Sequence, residues 1–270
     1  MDRIVAIDSV TELKPEHRSC VVVSGSHGGL YSAYLAVKAG AQAVILNDAG
    51  EGLDRAGVAV IDYCQKFGVA AATVSYASAR IGDANDMMAR GRISVVNATA
   101  KMLGCNIGDA CAESANLLIK GPLRTPTPPA YAEGRHILRA YPGESRVVAV
   151  DSASLVQAED RGAIVVTGSH GGLVGGRTET ALRVDALAVL FNDAGVGIDN
   201  AGISRLPTLE TRGIAAATVA ARSARIGDAR STFADGHLSH FNHVAALYDA
   251  VIGMPAREFV DRVIRISRIS

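Results

Sequence analysis

VAIDSVTELKPEHRSCVVVSGSHGGL, residues 5–30, returns as VAVDSASLVQAEDRGAIVVTGSHGGL at residues 148–173. Two more phrases return in the same order after a two-residue insertion. ILNDAGEGLDRAGV (45–58) is echoed by LFNDAGVGIDNAGI (190–203), and GVAAATVSYASARIGDA (68–84) by GIAAATVAARSARIGDA (213–229). The repeated words are polar and glycine-rich, which core packing alone does not require, whereas the segments between them have drifted. Short β-branched apolar runs that stop at turn residues read as buried strands at 21–24, 43–46 and 70–74, and at 164–167, 188–191 and 215–219. Helices are predicted over 31–38 and 177–184, and near 56–66 and 201–211. Strand, helix, strand, helix, strand is the pattern of a parallel sheet with helices on its faces.

The fold class expected is therefore α/β: a pseudo-symmetric tandem duplication of two βαβαβ-type halves with mainly parallel sheet, residues 1–120 and 146–270. Residues 83–102 and 228–251 read as helical, broken at Gly91 and Gly236, with Ser94 and Ser239 as N-caps where the helix restarts. Residues 121–145 belong to neither copy. They carry PLRTPTPPAYAEG, whose four prolines exclude a helix interior or a central strand and favour an extended linker.

Charge is balanced, with 27 basic and 27 acidic residues and no long run of either sign, which speaks against nucleic acid or an anionic membrane as partner. The start, MDRIVAIDSV, has no basic and apolar leader pattern, and no stretch approaches the roughly 18 apolar residues of a spanning helix. A cytoplasmic protein is expected. Cys20, Cys64, Cys105 and Cys111 are not mirrored between the halves and form no CxxC pair, as befits ordinary thiols in a reducing compartment. A positive mean hydropathy points to apolar surface covered in a homo-oligomer.

Parallel strands put their carboxyl ends on one edge, where open α/β sheets bind ligands. Ser24, Ser26, His27, Asn47, Asp48, Ser78 and Arg80 are expected to share a crevice in the first half, and Thr167, Ser169, His170, Asn192, Asp193, Ser223 and Arg225 in the second. His27 and His170 are the candidate acid/base groups, Asp48 and Asp193 orient them or carry a proton, and Ser26 and Ser169 are candidate nucleophiles. N–H groups around Gly28, Gly29, Gly171 and Gly172 suit an anion. Asn47, Asn192, Asp54, Asp199, Ser78 and Ser223 complete the substrate contacts, and Arg80 and Arg225 suit a carboxylate. The structural alternative gives Asn47 and Asp48 a turn, pairs Arg80 with Asp83, and makes Ser78 a cap.

GSHGG is not GxGxxG, lacks the lysine of a phosphate loop, and no GxSxG elbow is present, so no cofactor is expected. His237, His240 and His243 are not doubled. On a helix the last two would share a face and reach a metal with a nearby carboxylate, but HxxHxxH is not a standard zinc spacing and no metal is assigned. The function expected is metal-independent hydrolysis of an amide, imide, lactone or similar acyl bond of a small anionic metabolite. A lyase or isomerase using the same His, Asp and Arg groups is the alternative within enzymes, and a non-catalytic anion- or effector-binding module the alternative outside them.

Overall fold

The computed structural model describes residues 3–268. The outer bounds expected at residues 1 and 270, and the first two residues of the stretch read for a leader, lie outside the described residues. Strands β1 (Ile4–Ile7), β2 (Val21–His27), β3 (Ala43–Asn47), β4 (Ala70–Val74) and β5 (Ile93–Val96) form one sheet in that spatial order. The first four are parallel, and β5 runs against β4. A second sheet orders β6 (Arg135–Arg139), β7 (Val147–Val150), β8 (Ile164–His170), β9 (Ala188–Asn192), β10 (Ala215–Val219) and β11 (Leu238–Phe241) in the same sequential way. Its four inner strands are parallel and its two outer strands antiparallel. The molecule is thus a mixed α/β protein with two mostly parallel sheets.

Sequential order has a consequence for the layers. Right-handed crossovers that all step in one direction leave their connections on one face of the sheet. On that face of the first sheet, α1 (Leu30–Lys38) and α2 (Val60–Lys66) bury Ala33, Val37, Val60 and Cys64 against Val22, Val44 and Leu46. The opposite face is covered by α3 (Ala84–Arg90), α4 (Ala98–Met102) and α5 (Cys111–Leu118), which pack Met87, Ala100 and Leu118 onto Val21, Val23 and Ile45. Val21, Val22 and Val23 are all fully buried because both faces are covered, which is why the strand reads as a continuous apolar run. On the second sheet, Leu206 and Leu209 of α6 (Arg205–Thr211) pack against Val165, Val189 and Phe191. Across that sheet, Phe233 of α7 (Ala229–Ala234), Ala245 of α8 (His243–Ala246) and Phe259, Val263 and Ile264 of α9 (Ala256–Ser267) join Ile164, Val166 and Leu190. Among the described residues no helix is long and apolar enough to cross a membrane.

Several predicted elements come out differently. No α-helix forms over 177–184, where only short 3₁₀ turns occur at Val174–Gly176 and Thr178–Thr180. Gly175 and Gly176 take φ of 61° and 66°, and Thr180 Oγ1 accepts the Val174 N–H at 3.0 Å while donating to Arg177 O at 2.6 Å. Glycines in the left-handed region and a hydroxyl that closes its own turn both compete with helix formation. Strands β1 and β7 were not predicted, because four-residue runs such as IVAI and VVAV are too short for periodicity to classify.

The segments 83–102 and 228–251 are not helices with a break, since β5 and β11 lie within them. Their β-branched and aromatic residues pair with β4 and β10. Ser94 and Ser239, predicted as N-caps, are strand residues whose hydroxyls meet Thr73 and Thr218 Oγ1 at 3.0 Å each. Asn97 and Asn242 are the caps. Asn97 Oδ1 accepts from Ala100 N at 2.8 Å and from Ala71 N at 3.1 Å, and Asn242 Oδ1 accepts from Ala245 N and Ala216 N at 3.0 Å each. One side chain therefore serves both a helix start and a strand. His240 lies on β11 and His243 opens α8, so the single helix face predicted for them does not exist.

Asn97→Ala leaves two buried backbone N–H groups without partners and is expected to cost about 2 kcal/mol. Ser94→Ala is expected to cost less, about 1 kcal/mol, because it removes the hydroxyl that meets Thr73 Oγ1 and donates to Thr73 O at 3.3 Å but leaves no backbone N–H without its partner. Urea unfolding midpoints of the two variants check the order; equal losses would put the cap back at Ser94.

Candidate functional site

The ends of β3 and β9 are shaped by side chains that imitate backbone. Asn47 Oδ1 accepts the Ala49 N–H at 2.9 Å and its Nδ2 donates to Ala79 O at 3.3 Å; Asn192 does the same with Ala194 at 2.9 Å and Ala224 at 3.1 Å. These bonds hold Ala49 and Ala194 at φ of 50°, a region a non-glycine residue seldom enters without such help. Asp48 Oδ1 accepts from Gly50 N and Tyr76 N at 3.1 and 2.9 Å, and Asp193 Oδ1 from Gly195 N and Ala221 N at 2.9 and 2.8 Å. Burial pushes the Asp48 carboxyl above its ordinary range, against the pull of those N–H groups. Ser78 Oγ donates to Ser75 O and accepts from Arg92 N, both at 2.9 Å, and Ser223 repeats this with Ala220 and His237.

The two arginines expected as carboxylate clamps face protein carboxylates instead. Arg80 pairs with Asp86 at 3.1 Å, Asp83 at 3.2 Å and Asp199 at 3.6 Å; Arg225 pairs with Asp54 at 3.0 Å, Asp228 at 3.3 Å and Asp235 at 3.7 Å. Asp54 and Asp199 each belong to the half opposite their arginine. These reciprocal ion pairs, together with backbone bonds from Gly175 N to Gly82 O and Ile198 N to Tyr76 O, tie the carboxyl edges of the two sheets together. Ala49, Ile81, Ala194, Ala201 and Ile226 form the apolar cluster between them.

His27 and His170 lie at this junction. A Cβ built on Gly82 would sit 3.5 Å from His170 Cε1, and one built on Gly227 would sit 3.4 Å from His27 Cε1, so each ring lies under a glycine corner of the other half. His27 Nδ1 accepts the Gly29 N–H at 3.1 Å, and His170 Nδ1 accepts the Gly172 N–H at 3.1 Å. A backbone N–H only donates, so each neutral ring carries its proton on Nε2. Burial lowers His27 to about 4. His170 is held well below the usual imidazole range by burial first, then by the charge of Arg205 and by His27. Both rings are uncharged Nε2–H donors at neutral pH. The glycine N–H groups expected to face an anion are engaged locally, since Gly28 N and Gly171 N donate to Asn47 O and Asn192 O at 2.8 Å.

A cavity of about 330 Å³ opens between the two loops and brings Ser26, His27, Ser169 and His170 together. Ser26 Oγ accepts from Val10 N at 3.0 Å and Ser169 Oγ from Ala153 N at 2.9 Å, which seats the turns after β1 and β7 against the cavity and leaves each hydroxyl hydrogen without a described acceptor. Asn47, Asp48, Ser78 and Arg80 and their second-half counterparts are not among the residues lining it.

The remaining walls were not predicted. Arg177, Arg183 and Arg205 are among the lining residues, as are Glu12 and Glu179. Arg205 is buried, donates to Gly172 O at 2.8 Å and Ala181 O at 2.9 Å, and lies 4.9 Å from the Phe191 ring centre. Arg177 pairs with Glu12 at 3.4 Å, whereas Arg183 is exposed and has no bonded partner among the described residues. Glu133 lines this cavity and also a second one of about 200 Å³ with His27, Tyr31, Tyr131 and Asp151. Burial, reinforced by the Asp151 charge, raises Glu133 to about 7. Its neighbour Gly134 is anchored by a 2.6 Å bond from its N–H to Asp151 Oδ2. Asp151 and Ser152 stand inside a repeated phrase and were legible as a signal. Glu133 follows the prolines of the segment between the halves, and Arg205 occupies the place of Val60, so neither is marked by repetition.

Among the described residues no group of three His, Cys, Asp or Glu is placed to hold a metal ion. His243 instead pairs with Glu210 at 3.0 Å. The four thiols are buried and form no disulfide among the described residues, and burial raises Cys64 and Cys111 to about 12, which keeps those two protonated and unreactive. Comparison with protein-family models, with curated proteins and with solved structures finds no match.

The imidazoles give stability a defined pH dependence. A histidine that is neutral when folded and charged when unfolded contributes fully above the unfolded value of 6.5, and its contribution is lost as the pH falls toward about 4 for His27. In His27→Asn the amide oxygen can still accept the Gly29 N–H. Wild type is therefore expected to lose stability relative to His27→Asn between pH 6.5 and 4 in urea unfolding; a pH-independent difference would show that the ring is not buried neutral.

Proposed function

We propose that the chain is an enzyme that moves a proton beside the carbonyl group of a small anionic metabolite, an isomerase or lyase reaction, in the single cavity between the two glycine loops. The observation that carries this reading is the pairing, within one cavity, of two imidazoles locked as Nε2–H donors with a carboxyl group that titrates at about 7. An uncharged imidazole N–H polarises a carbonyl and steadies the oxyanion that develops on it, and a carboxylate poised near neutrality is a competent base. Glu133 takes the proton from the carbon next to the carbonyl, and the electron pair moves to the carbonyl oxygen between His27 and His170. Return of the proton to another carbon gives isomerisation; departure of a leaving group gives elimination. Arg183, with Arg177 beside it, faces the carboxylate of the substrate. A cavity of this size suits a metabolite of few heavy atoms.

Hydrolysis of an acyl bond is the second reading. Its support is that Ser26 and Ser169 line the same cavity with free hydroxyl hydrogens. Against it, neither serine is bonded to an imidazole among the described residues, and both Nδ1 atoms are occupied, so its base too would be Glu133. The same reading treats the chain as a tandem duplication, supported by the repeated phrases and by sheets in which equivalent strands take the same order. One composite site then uses both copies. A cytoplasmic homo-oligomer remains part of the proposal, supported by cysteines that form no disulfide among the described residues and by the exposed apolar pairs Met102 and Ile107, and Leu247 and Ile252, at equivalent places in the halves.

Small oxo- and hydroxy-carboxylic acids, together with lactone, amide and imide derivatives of such acids, incubated with the protein in heavy water, and separately in ¹⁸O-water, distinguish the cases. Deuterium entering carbon beside a carbonyl supports proton transfer, ¹⁸O entering a carboxylate supports hydrolysis, and ligand-induced thermal stabilisation with neither label supports a binding module. Under the proton-transfer reading, kcat/KM rises with pH through a midpoint near 7. Glu133→Gln is expected to lose at least about 100-fold in rate, and the double variant His27→Asn with His170→Asn a similar factor, with folding retained. A rate independent of Glu133 would remove it from the mechanism.

A further inference from the structure

A larger cavity, of about 760 Å³, opens at the carboxyl edge of the second sheet, away from the two glycine loops. Its lining includes Tyr76, Arg222, His237, Ser239, His240 and Ile252. Arg222 is exposed, and no hydrogen bond or ion pair engages its guanidinium among the described residues. His237 is oriented by its Nδ1, which donates to Asp235 O at 2.9 Å. His240 Nδ1 is closed to solvent and has no partner. Tyr76 comes from the first half and is pressed against Gly195, where an added Cβ would lie 2.8 Å from the ring, so that wall is fixed. Asp193, the carboxylate among the lining residues, is engaged through Oδ1 by Gly195 N and Ala221 N.

Two of the three basic groups of this cavity, Arg222 and His240, are peculiar to the second half. Ala77 and Val95 stand at the first-half positions that match Arg222 and His240, and Arg92 matches His237. Repetition of the fold therefore does not account for them. We propose that this cavity is a second binding site, for a small oxyanion, a carboxylate or a phosphate, held by Arg222 with the two imidazoles and with Tyr76 and Ile252 against its apolar part. It does not depend on the chemistry assigned to the cavity between the loops.

Histidine ring NMR signals, followed during titration with inorganic phosphate and with isobutyrate, test the site, with sodium chloride at matched ionic strength as control. Saturable shifts of His237 and His240 are expected with at least one oxyanion, and they should persist in His27→Asn/His170→Asn. Response to phosphate alone assigns a phosphorylated ligand, and response to isobutyrate alone a carboxylic acid. Arg222→Ala and His240→Val, which install the first-half residues, should each weaken binding at least about tenfold. The exposed Arg222→Ala carries the test if His240→Val does not fold. No shift with either probe, an equal response to chloride, or undiminished affinity in Arg222→Ala overturns the proposal.

Discussion

At Gly25 an added Cβ would lie 2.5 Å from Asp83 N and 2.8 Å from Asp8 O; at Gly168 it would lie 2.6 Å from Asp228 N and 2.7 Å from Asp151 O. Strand ends β2 and β8 are thus wedged backbone against backbone between the end of the neighbouring strand and the glycine corner near the end of the third repeated phrase. No side chain fits in that space. The wedge sets where the Ser-His pair emerges, and it brings Gly82 and Gly227 to the seam between the sheets, where each lies over an imidazole of the other half. The ion pairs of Arg80 with Asp199 and Arg225 with Asp54 flank the same seam. They are half-exposed, so their contribution is small beside the apolar cluster and the glycine contacts that fix the approach.

Burial at that seam then divides the chemistry. The imidazoles lose their charge because water is excluded from them and their Nδ1 atoms are already bonded. Glu133 retains the ability to titrate near neutrality because its charged form is penalised by partial burial and by Asp151. The two halves are not electrostatically equal. Arg205, buried where the first half has Val60, places a guanidinium beside His170, whereas His27 faces Tyr31, Tyr131 and Glu133.

Much of the framework was legible in the residues. The β-branched runs at 43–46, 70–74 and their echoes gave strands at their observed places, because a strand covered on both faces must be apolar throughout. The polar phrases after them marked the carboxyl edge, and His27, His170, Ser26 and Ser169 do meet there. What sequence pattern could not separate was a polar residue that serves the turn from one that faces the cavity. Asn47, Asp48, Ser78 and Arg80 repeat as faithfully as His27, since a backbone N–H without a partner is as costly as a lost ligand contact. Helix over 177–184 failed for a local reason, two adjacent glycines, that was visible but outweighed by analogy with 31–38.

The sequence by itself determined the three-stranded parallel core of each sheet and the glycine turns, because these follow from local periodicity and from the steric needs of single residues. Tertiary structure alone decided that the two histidines share one cavity, that they are neutral, and that Glu133 and Arg183 face them. Those properties depend on distance and on exclusion of water where His27 meets segments more than a hundred residues further along, and neither quantity is encoded in any local run of the chain.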